Sequence, residues 1–170
     1  MLTGGCQQLP PAPYAPEQQI TVPFFPQTDY HCGPAALASM LHWGGAEADL
    51  DGLIDEVWLP GRRGSLAIEL DAAARTRGLL VYPLQHPDHL WAELDAGHPV
   101  LVLQNLGSPR WPRWHFAVVI GYRDGGQRVL LHTDTRPSHS SHWNRFIRTW
   151  ARADFTGFVM LPEGKLPATS

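Results

Sequence analysis

The chain has 170 residues with a hydrophobic share of 44%, so the sequence predicts one globular domain with an ordinary core. Its formal net charge of -3 is spread over both signs, which leaves no basic patch and excludes nucleic acid as the expected partner. No apolar run approaches the roughly 18 to 20 residues that span a bilayer. The two cysteines, Cys6 and Cys32, cannot form a disulfide framework, and we expect no structural disulfide.

The two ends of the chain differ from its middle in composition. Residues 1–19 contain several prolines and repeated glutamine without periodicity, which predicts a flexible tether before a domain at residues 20–162. Residues 2–6, LTGGC, resemble the end of a bacterial lipoprotein signal, although the charged and apolar parts of such a signal do not precede them. If Cys6 is acylated, we expect the protein to be attached to the membrane at the cell envelope, and otherwise cytoplasmic. Residues 163–170 are expected to form a disordered tail.

The first predicted helix begins at the most informative residue, Cys32. Pro34 suits a first helical turn, alanine and leucine follow, and the glycines at residues 44–45 end the helix near Trp43. A thiol at a helix N-terminus meets free backbone N–H groups, which favour the thiolate and are expected to lower its pKa. The amide of Gln27 could reach the same point and form an oxyanion hole with the Cys32 backbone N–H. A buried structural cysteine is the alternative interpretation.

The segment 27–37, QTDYHCGPAAL, resembles the nucleophile motif of the bacteriocin-processing (double-glycine) peptidases, a branch of the papain-like cysteine peptidases. The resemblance extends over residues 20–162. It implies an α+β, papain-like fold in which the N-terminal helix that bears the nucleophile packs on an antiparallel sheet that carries the base. Because the chain contains no transporter segments, the resemblance is to a stand-alone bacterial member of the family.

The remaining predicted elements place helices before strands. A weak helical pattern covers residues 48–57, and a stronger helix, capped by Ser65, ends at Gly78. A strand at residues 79–84 and a short amphipathic helix at residues 87–96 follow. Further strands rich in β-branched residues are predicted at positions 100–103, 115–121, 128–133 and 157–161. This order indicates an α+β domain rather than alternating βαβ units.

Nine histidines compete for the role of general base, and His115 has the most suitable setting. It opens the apolar run HFAVVIGY, so a rigid strand would hold its side chain at the end of the sheet. The same run resembles the strand that carries the catalytic histidine in the double-glycine peptidases. Of the others, His31 adjoins the nucleophile and His42 lies near the end of the first helix. A further three fall in predicted surface loops or caps: His86, His89 and His98.

The turn that follows this strand makes Asp134 the residue expected to orient His115. An Asp-Gly turn at residues 124–125 predicts a register in which the two lie directly opposite each other. A Gly-Gly turn at residues 125–126 would instead make Asp134 a diagonal neighbour. In either register the carboxylate could accept the imidazole Nδ1 proton and leave Nε2 for the thiol. The family usually has proline after this aspartate, whereas Thr135 follows here.

Together these residues predict a cysteine peptidase. Cys32 would attack an amide carbonyl, His115 would take its proton, Asp134 would orient His115, and Gln27 would help to stabilise the oxyanion. A peptide or protein substrate is expected, without metal or organic cofactor, and a monomer is favoured. The family resemblance suggests cleavage after small residues such as Gly-Gly. A related amide-bond transferase or a catalytically silent peptide-binding module is the alternative.

A metal-binding module is a further alternative of a different class. It would use the metal-ligand side chains His132, Asp134, His139 and His142. Because residues 137–142 are predicted to form a mobile loop and no partner ligands are evident elsewhere, the peptidase interpretation is preferred.

Overall fold

The structure is a computed structural model that describes residues 15–27, 31–62 and 64–169. Its elements, in chain order, are β1 (Gln18–Gln19), α1 (Cys32–Trp43), α2 (Leu50–Val57), α3 (Ala67–Thr76), β2 (Leu79–Pro83), α4 (His89–Asp95), β3 (Val100–Asn105), β4 (Trp114–Arg123), β5 (Arg128–Thr133), β6 (Arg136–His142), α5 (Trp143–Ala151) and β7 (Gly157–Pro162). Short 3₁₀ turns lie at Pro60–Arg62 and Asp124–Gly126. Cys6 and the rest of the lipoprotein-like segment lie outside the described residues.

The strands form one antiparallel sheet with helices on both faces. The strand order is β2-β7-β3-β4-β5-β6, and β1 pairs with β4. Helices α1, α2 and α3 cover the face on which Phe116 and Val118 lie. Helices α4 and α5 cover the opposite face, with Ala117 and Val119. The predicted α+β fold, with the Cys32 helix packed on an antiparallel sheet, is therefore confirmed.

Helix α1 is held in place by burial of its apolar residues. Leu37, Met40 and Leu41 have no solvent exposure, and each buried side chain of this kind contributes about 1.5 to 3 kcal/mol of transfer free energy. The helix ends where Gly45 adopts a φ of 83°, a left-handed conformation that glycine reaches without a steric penalty. The N-terminal residue of a well-anchored helix is thus the predicted nucleophile.

The β4–β5 hairpin begins in the register predicted for a Gly-Gly turn, not in the one predicted for an Asp-Gly turn. Arg123 pairs with Arg128, so four residues form the connection, as the Gly-Gly turn requires. Positive φ angles occur at Asp124, Gly125 and Gly126, residue types that tolerate the left-handed region.

A bulge at Ile120 then shifts the pairing by one residue, so that Val118 lies opposite His132. Strand β5 ends at Thr133, and Asp134 belongs to the turn that follows. The prediction that Asp134 pairs directly with His115 is therefore wrong, because the bulge and the end of β5 place it beyond the ladder.

Three further elements differ from the sequence prediction. Residues 137–142, predicted to be a mobile loop, belong to β6 and pair with β5. Helix α5 lies where no element was predicted, although its buried aromatic residues Trp143, Phe146 and Trp150 recur at helical spacing. Helix α3 begins after Leu66, and Ser65 makes no capping hydrogen bond.

The last part of the predicted tether packs against the domain. Gln18 pairs with Tyr122, and Gln19 pairs with Gly121. A Cβ on Gly121 would lie 1.9 Å from the Gln18 carbonyl oxygen, so this close backbone approach requires glycine. The folded region thus begins before residue 20.

The predicted C-terminal tail is also held in place. The backbone N–H groups of Ala168 and Thr169, together with the Thr169 hydroxyl, donate hydrogen bonds to the Glu93 carboxylate, which has no solvent exposure. The folded region therefore extends beyond residue 162. Across the described ranges, no helix has the length and apolar character needed to cross a membrane.

Candidate active site

Cys32 is the first residue of α1, and its thiol lies against the beginning of β4. The sulfur accepts a hydrogen bond from the Phe116 backbone N–H at 3.4 Å. Strand β5 pairs with β4 only from Val118 onward, which leaves the beginning of β4 open to the thiol. Because Phe116 directly follows His115, the fold brings the predicted nucleophile and the predicted base to the same end of one strand.

Gly33 allows the helix start to pack closely against the segment before α3. A Cβ at this position would lie 2.6 Å from the Ser65 hydroxyl oxygen and 2.7 Å from the Ser65 Cβ. Both separations are shorter than van der Waals contact, so a larger residue would push the two segments apart. Close packing against Ser65 therefore requires glycine at the position after the predicted nucleophile.

The pKa of the Cys32 thiol is raised, contrary to the expectation from its helix N-terminal position. Burial is the largest cause, because it disfavours the charged thiolate, and the nearby Asp134 carboxylate acts in the same direction. Hydrogen bonds from the backbone N–H groups of Phe116, Gly33 and Cys32 lower the pKa but do not offset burial. This shift favours a neutral Cys32 thiol, which would need a base to act as a nucleophile.

The His115 imidazole is buried and turned toward the end of β5. Its Nε2 lies 2.6 Å from the Thr133 hydroxyl oxygen and 3.8 Å from the Asp134 Oδ1. Nε2 is therefore occupied at the end of β5, and Nδ1 is the ring nitrogen that is not engaged there. This is the reverse of the predicted ring orientation, in which Nδ1 faced the aspartate.

The pKa of His115 is lowered, chiefly because burial disfavours the imidazolium. The Asp134 carboxylate raises this pKa, whereas the positive charges of Arg113 and Arg136 lower it. Burial thus acts on both partners in the direction of neutrality. Both shifts therefore favour a neutral thiol and a neutral imidazole over an ion pair.

Asp134 occupies the turn between β5 and β6. Its φ of 50° lies in the left-handed region, which aspartate adopts more readily than most residues. The side chain is 49% exposed, and its Oδ2 accepts a hydrogen bond from Arg136 at 3.2 Å. The carboxylate is therefore shared between an arginine, solvent and the neighbourhood of His115.

Gln27 is connected to the same turn through its main chain. The Gln27 backbone N–H donates to the Asp134 carbonyl oxygen at 3.1 Å. Residues 28–30, which continue from Gln27 toward Cys32, lie outside the described residues. The structure thus joins the segments of three predicted site residues, Gln27, His115 and Asp134, at the end of the sheet where the Cys32 thiol lies.

Thr133 is a site residue that sequence reasoning missed. It is 5% exposed, and its hydroxyl is closer to the His115 ring than the Asp134 carboxylate is. Its position as the residue before the predicted orienting aspartate, at the end of a predicted strand, was visible in the sequence. Its proximity to His115 was not, because it depends on the bulge at Ile120.

The metal-binding alternative requires four residues: His132, Asp134, His139 and His142. The His132 ring uses both nitrogens on backbone groups, Nε2 on the Val22 carbonyl at 2.7 Å and Nδ1 on the Ser138 N–H at 3.1 Å. Within the described ranges, no three His, Cys, Asp or Glu side chains are grouped so that they could hold a metal ion. These residues therefore serve as parts of the β5–β6 framework and its turn.

A thiol at a helix N-terminus that contacts the start of a histidine-bearing strand in an antiparallel sheet is the arrangement of papain-like cysteine peptidases. The sequence model of the Peptidase_C39 like family matches residues 19–158, and the chain belongs to that family. The predicted relationship to the double-glycine peptidases is confirmed, and the protein is a cysteine peptidase.

Solved structures with the same fold come from this group of enzymes. A double glycine motif protease from an AMS/PCAT transporter, in complex with the leader peptide, is 21% identical and has a TM-score of 0.68, covering 85% of this chain and 94% of that one. A putative C39-like peptidase from Bacillus anthracis is 18% identical with a TM-score of 0.69, covering 88% and 99%. The peptidase domain of Streptococcus ComA, a bi-functional ABC transporter involved in a quorum sensing pathway, is 20% identical with a TM-score of 0.64, covering 86% and 98%. No curated protein matches the chain.

Proposed function

We propose that this peptidase hydrolyses peptide bonds with Cys32 as nucleophile, His115 as general base and Asp134 as the carboxylate that stabilises the protonated imidazole. The observation that carries the proposal is the contact between the Cys32 sulfur and the Phe116 N–H, which seats the thiol beside the strand position of His115. The placement of Asp134 Oδ1 3.8 Å from the far side of the same imidazole supports the third role.

In the proposed mechanism the thiol and the imidazole are both neutral before attack, in the direction that burial shifts their pKa values. As the thiol attacks the scissile carbonyl, its proton passes to Nδ1 of His115, and the resulting imidazolium is stabilised by the Asp134 charge. The Cys32 backbone N–H and the Gln27 amide would stabilise the oxyanion. His115 then protonates the leaving amine, and a thioester remains on Cys32. Water hydrolyses the thioester with His115 again acting as base, which restores the free thiol.

The proposed substrate is a peptide cleaved after small residues such as Gly-Gly. Membership in the Peptidase_C39 like family supports this class, and a structural neighbour described as a double glycine motif protease was solved with a leader peptide. A site that takes glycine on the acyl side needs little room beside the thiol, which agrees with the half-buried position of Cys32.

Cleavage mapping with a peptide library that contains Gly-Gly and bulkier pairs tests the proposal. Cys32→Ser and His115→Ala should each abolish cleavage, whereas Cys6→Ser, the matched change at the other cysteine, should retain it. Cleavage that survives in Cys32→Ser would contradict the nucleophile assignment. Adding a small amine separates hydrolysis from transfer, because a transferase would yield the amide of the acyl group rather than the free acid.

A further inference from the structure

We propose that Thr133 is a positioning residue for His115, and that its hydroxyl, rather than the Asp134 carboxylate, directly holds the imidazole by accepting a hydrogen bond from Nε2–H, which leaves Nδ1 free. The inference rests on the proposed function of His115 as base. Its basis is a difference in distance: the Thr133 oxygen lies 2.6 Å from Nε2, within hydrogen-bond range, whereas the Asp134 oxygen lies 3.8 Å away, beyond it.

Burial separates the two candidate orienters in the same way. Thr133 is 5% exposed, so its hydroxyl bonds the ring with little competition from water. The Asp134 side chain is 49% exposed and also pairs with Arg136, which divides its hydrogen-bonding capacity. A buried hydrogen bond between fixed groups orients a ring better than a longer contact from a solvated side chain.

The backbone fixes the Thr133 hydroxyl before substrate binds. Thr133 is the last residue of β5 and pairs with Arg136 across the turn, so strand geometry restrains its main chain. A β-branched side chain has few accessible χ1 rotamers, which restricts the position of the hydroxyl further. When the Thr133 hydroxyl oxygen accepts a hydrogen bond from Nε2–H of the neutral ring, Nδ1 has no proton and can take one from the Cys32 thiol.

The two side chains then have separate tasks. The Thr133 hydroxyl sets the ring orientation in the resting enzyme. The Asp134 carboxylate, which can only accept, favours a proton on Nε2 and stabilises the imidazolium once it forms. An uncharged acceptor suits the first task, because it orients the ring without favouring protonation in advance as strongly as a carboxylate would.

Alkylation of Cys32 by iodoacetamide, in the full chain with Cys6→Ser and read by mass spectrometry, tests the inference without a known substrate. Thr133→Val should slow alkylation about tenfold, the effect of losing one buried hydrogen bond, and Thr133→Ser should stay within about twofold of the parent. Thr156→Val is the matched control, because among the described residues the Thr156 hydroxyl bonds only the Ala153 carbonyl, at 2.7 Å. It should alkylate at the parent rate.

His115→Ala distinguishes the two levels of failure. If His115→Ala leaves alkylation unchanged, the proposed function of His115 fails. If His115→Ala slows alkylation but Thr133→Val does not, or if Thr133→Ser is as slow as Thr133→Val, the role of the Thr133 hydroxyl is overturned while the base assignment stands. Nitrogen-15 NMR of the parent protein provides a test that requires no variant. It should show His115 with its proton on Nε2, and a proton on Nδ1 in the resting enzyme would refute the inference.

Discussion

Replacing His132 measures how strongly a buried histidine connects the N-terminal segment to the sheet. Its Nε2 donates to the Val22 carbonyl and its Nδ1 accepts from the Ser138 N–H, so one neutral tautomer satisfies backbone groups from two segments far apart in sequence. His132→Leu keeps an apolar body of similar size but leaves both backbone groups without their partner.

The cost follows from the two unpaired groups. Each buried backbone group without a hydrogen bond costs about 1 to 3 kcal/mol, so His132→Leu should lower the free energy of unfolding by about 2 to 6 kcal/mol. For a chain of this length that corresponds to a decrease in Tm of roughly 4 to 24 °C. Because the segment before α1 leads to Gln27, peptidase activity should decrease as well.

The pH dependence of the free energy of unfolding separates the effect of the two hydrogen bonds from the effect of protonating His132. Burial lowers the pKa of His132, so the unfolded chain binds this proton more tightly than the folded one does. The stability contributed by the neutral ring is complete above about pH 6.5 and is lost as the pH falls from there toward the folded-state pKa, by about 1.4 kcal/mol per pH unit. His132→Gln retains one donor and one acceptor but cannot be protonated in this range.

Urea unfolding between about pH 5 and pH 8 provides the measurement. The parent should lose stability toward acid more steeply than His132→Gln, and the two curves should run parallel above about pH 6.5. His132→Leu should be destabilised across the whole range. Equal slopes in the parent and His132→Gln, or a parent-like stability of His132→Leu, would show that this histidine does not connect the two segments.

Three further predictions concern catalysis and the C-terminal segment. The acid limb of the kcat/KM profile should lie below about pH 6.5, because burial lowers the pKa of His115. Asp134→Asn should move the limb to still lower pH, because the substitution removes the negative charge that raises the pKa of His115 in the parent. A limb that moves to higher pH would contradict the assignment. Gln27→Ala should slow acylation in single-turnover experiments by about 10²- to 10³-fold with little change in affinity, and an unchanged rate would remove Gln27 from the oxyanion hole. Ending the chain after Lys165 removes the hydrogen bonds to the buried Glu93 carboxylate and should lower the free energy of unfolding by about 2 to 5 kcal/mol, whereas an unchanged calorimetric Tm would show that these contacts do not stabilise the fold.

Local chemistry made the helix of Cys32 and the strand of His115 predictable. Proline in a first helical turn, an alanine-rich run and a glycine stop define α1 with little help from the rest of the chain. The apolar run after His115 likewise suits a central strand in any antiparallel sheet. The family motif around the cysteine then sufficed to predict the α+β, papain-like arrangement.

Tertiary structure decided the features that depend on contacts distant in sequence. The bulge at Ile120 changes the register, and the end of β5 at Thr133 places a hydroxyl, not a carboxylate, within hydrogen-bond range of Nε2. The sign of the Cys32 pKa shift is likewise a balance between helix N–H groups, which the sequence predicts, and burial, which only the packed sheet creates. Register and burial are sums over many distant neighbours, and for that reason no local pattern in the chain could determine them.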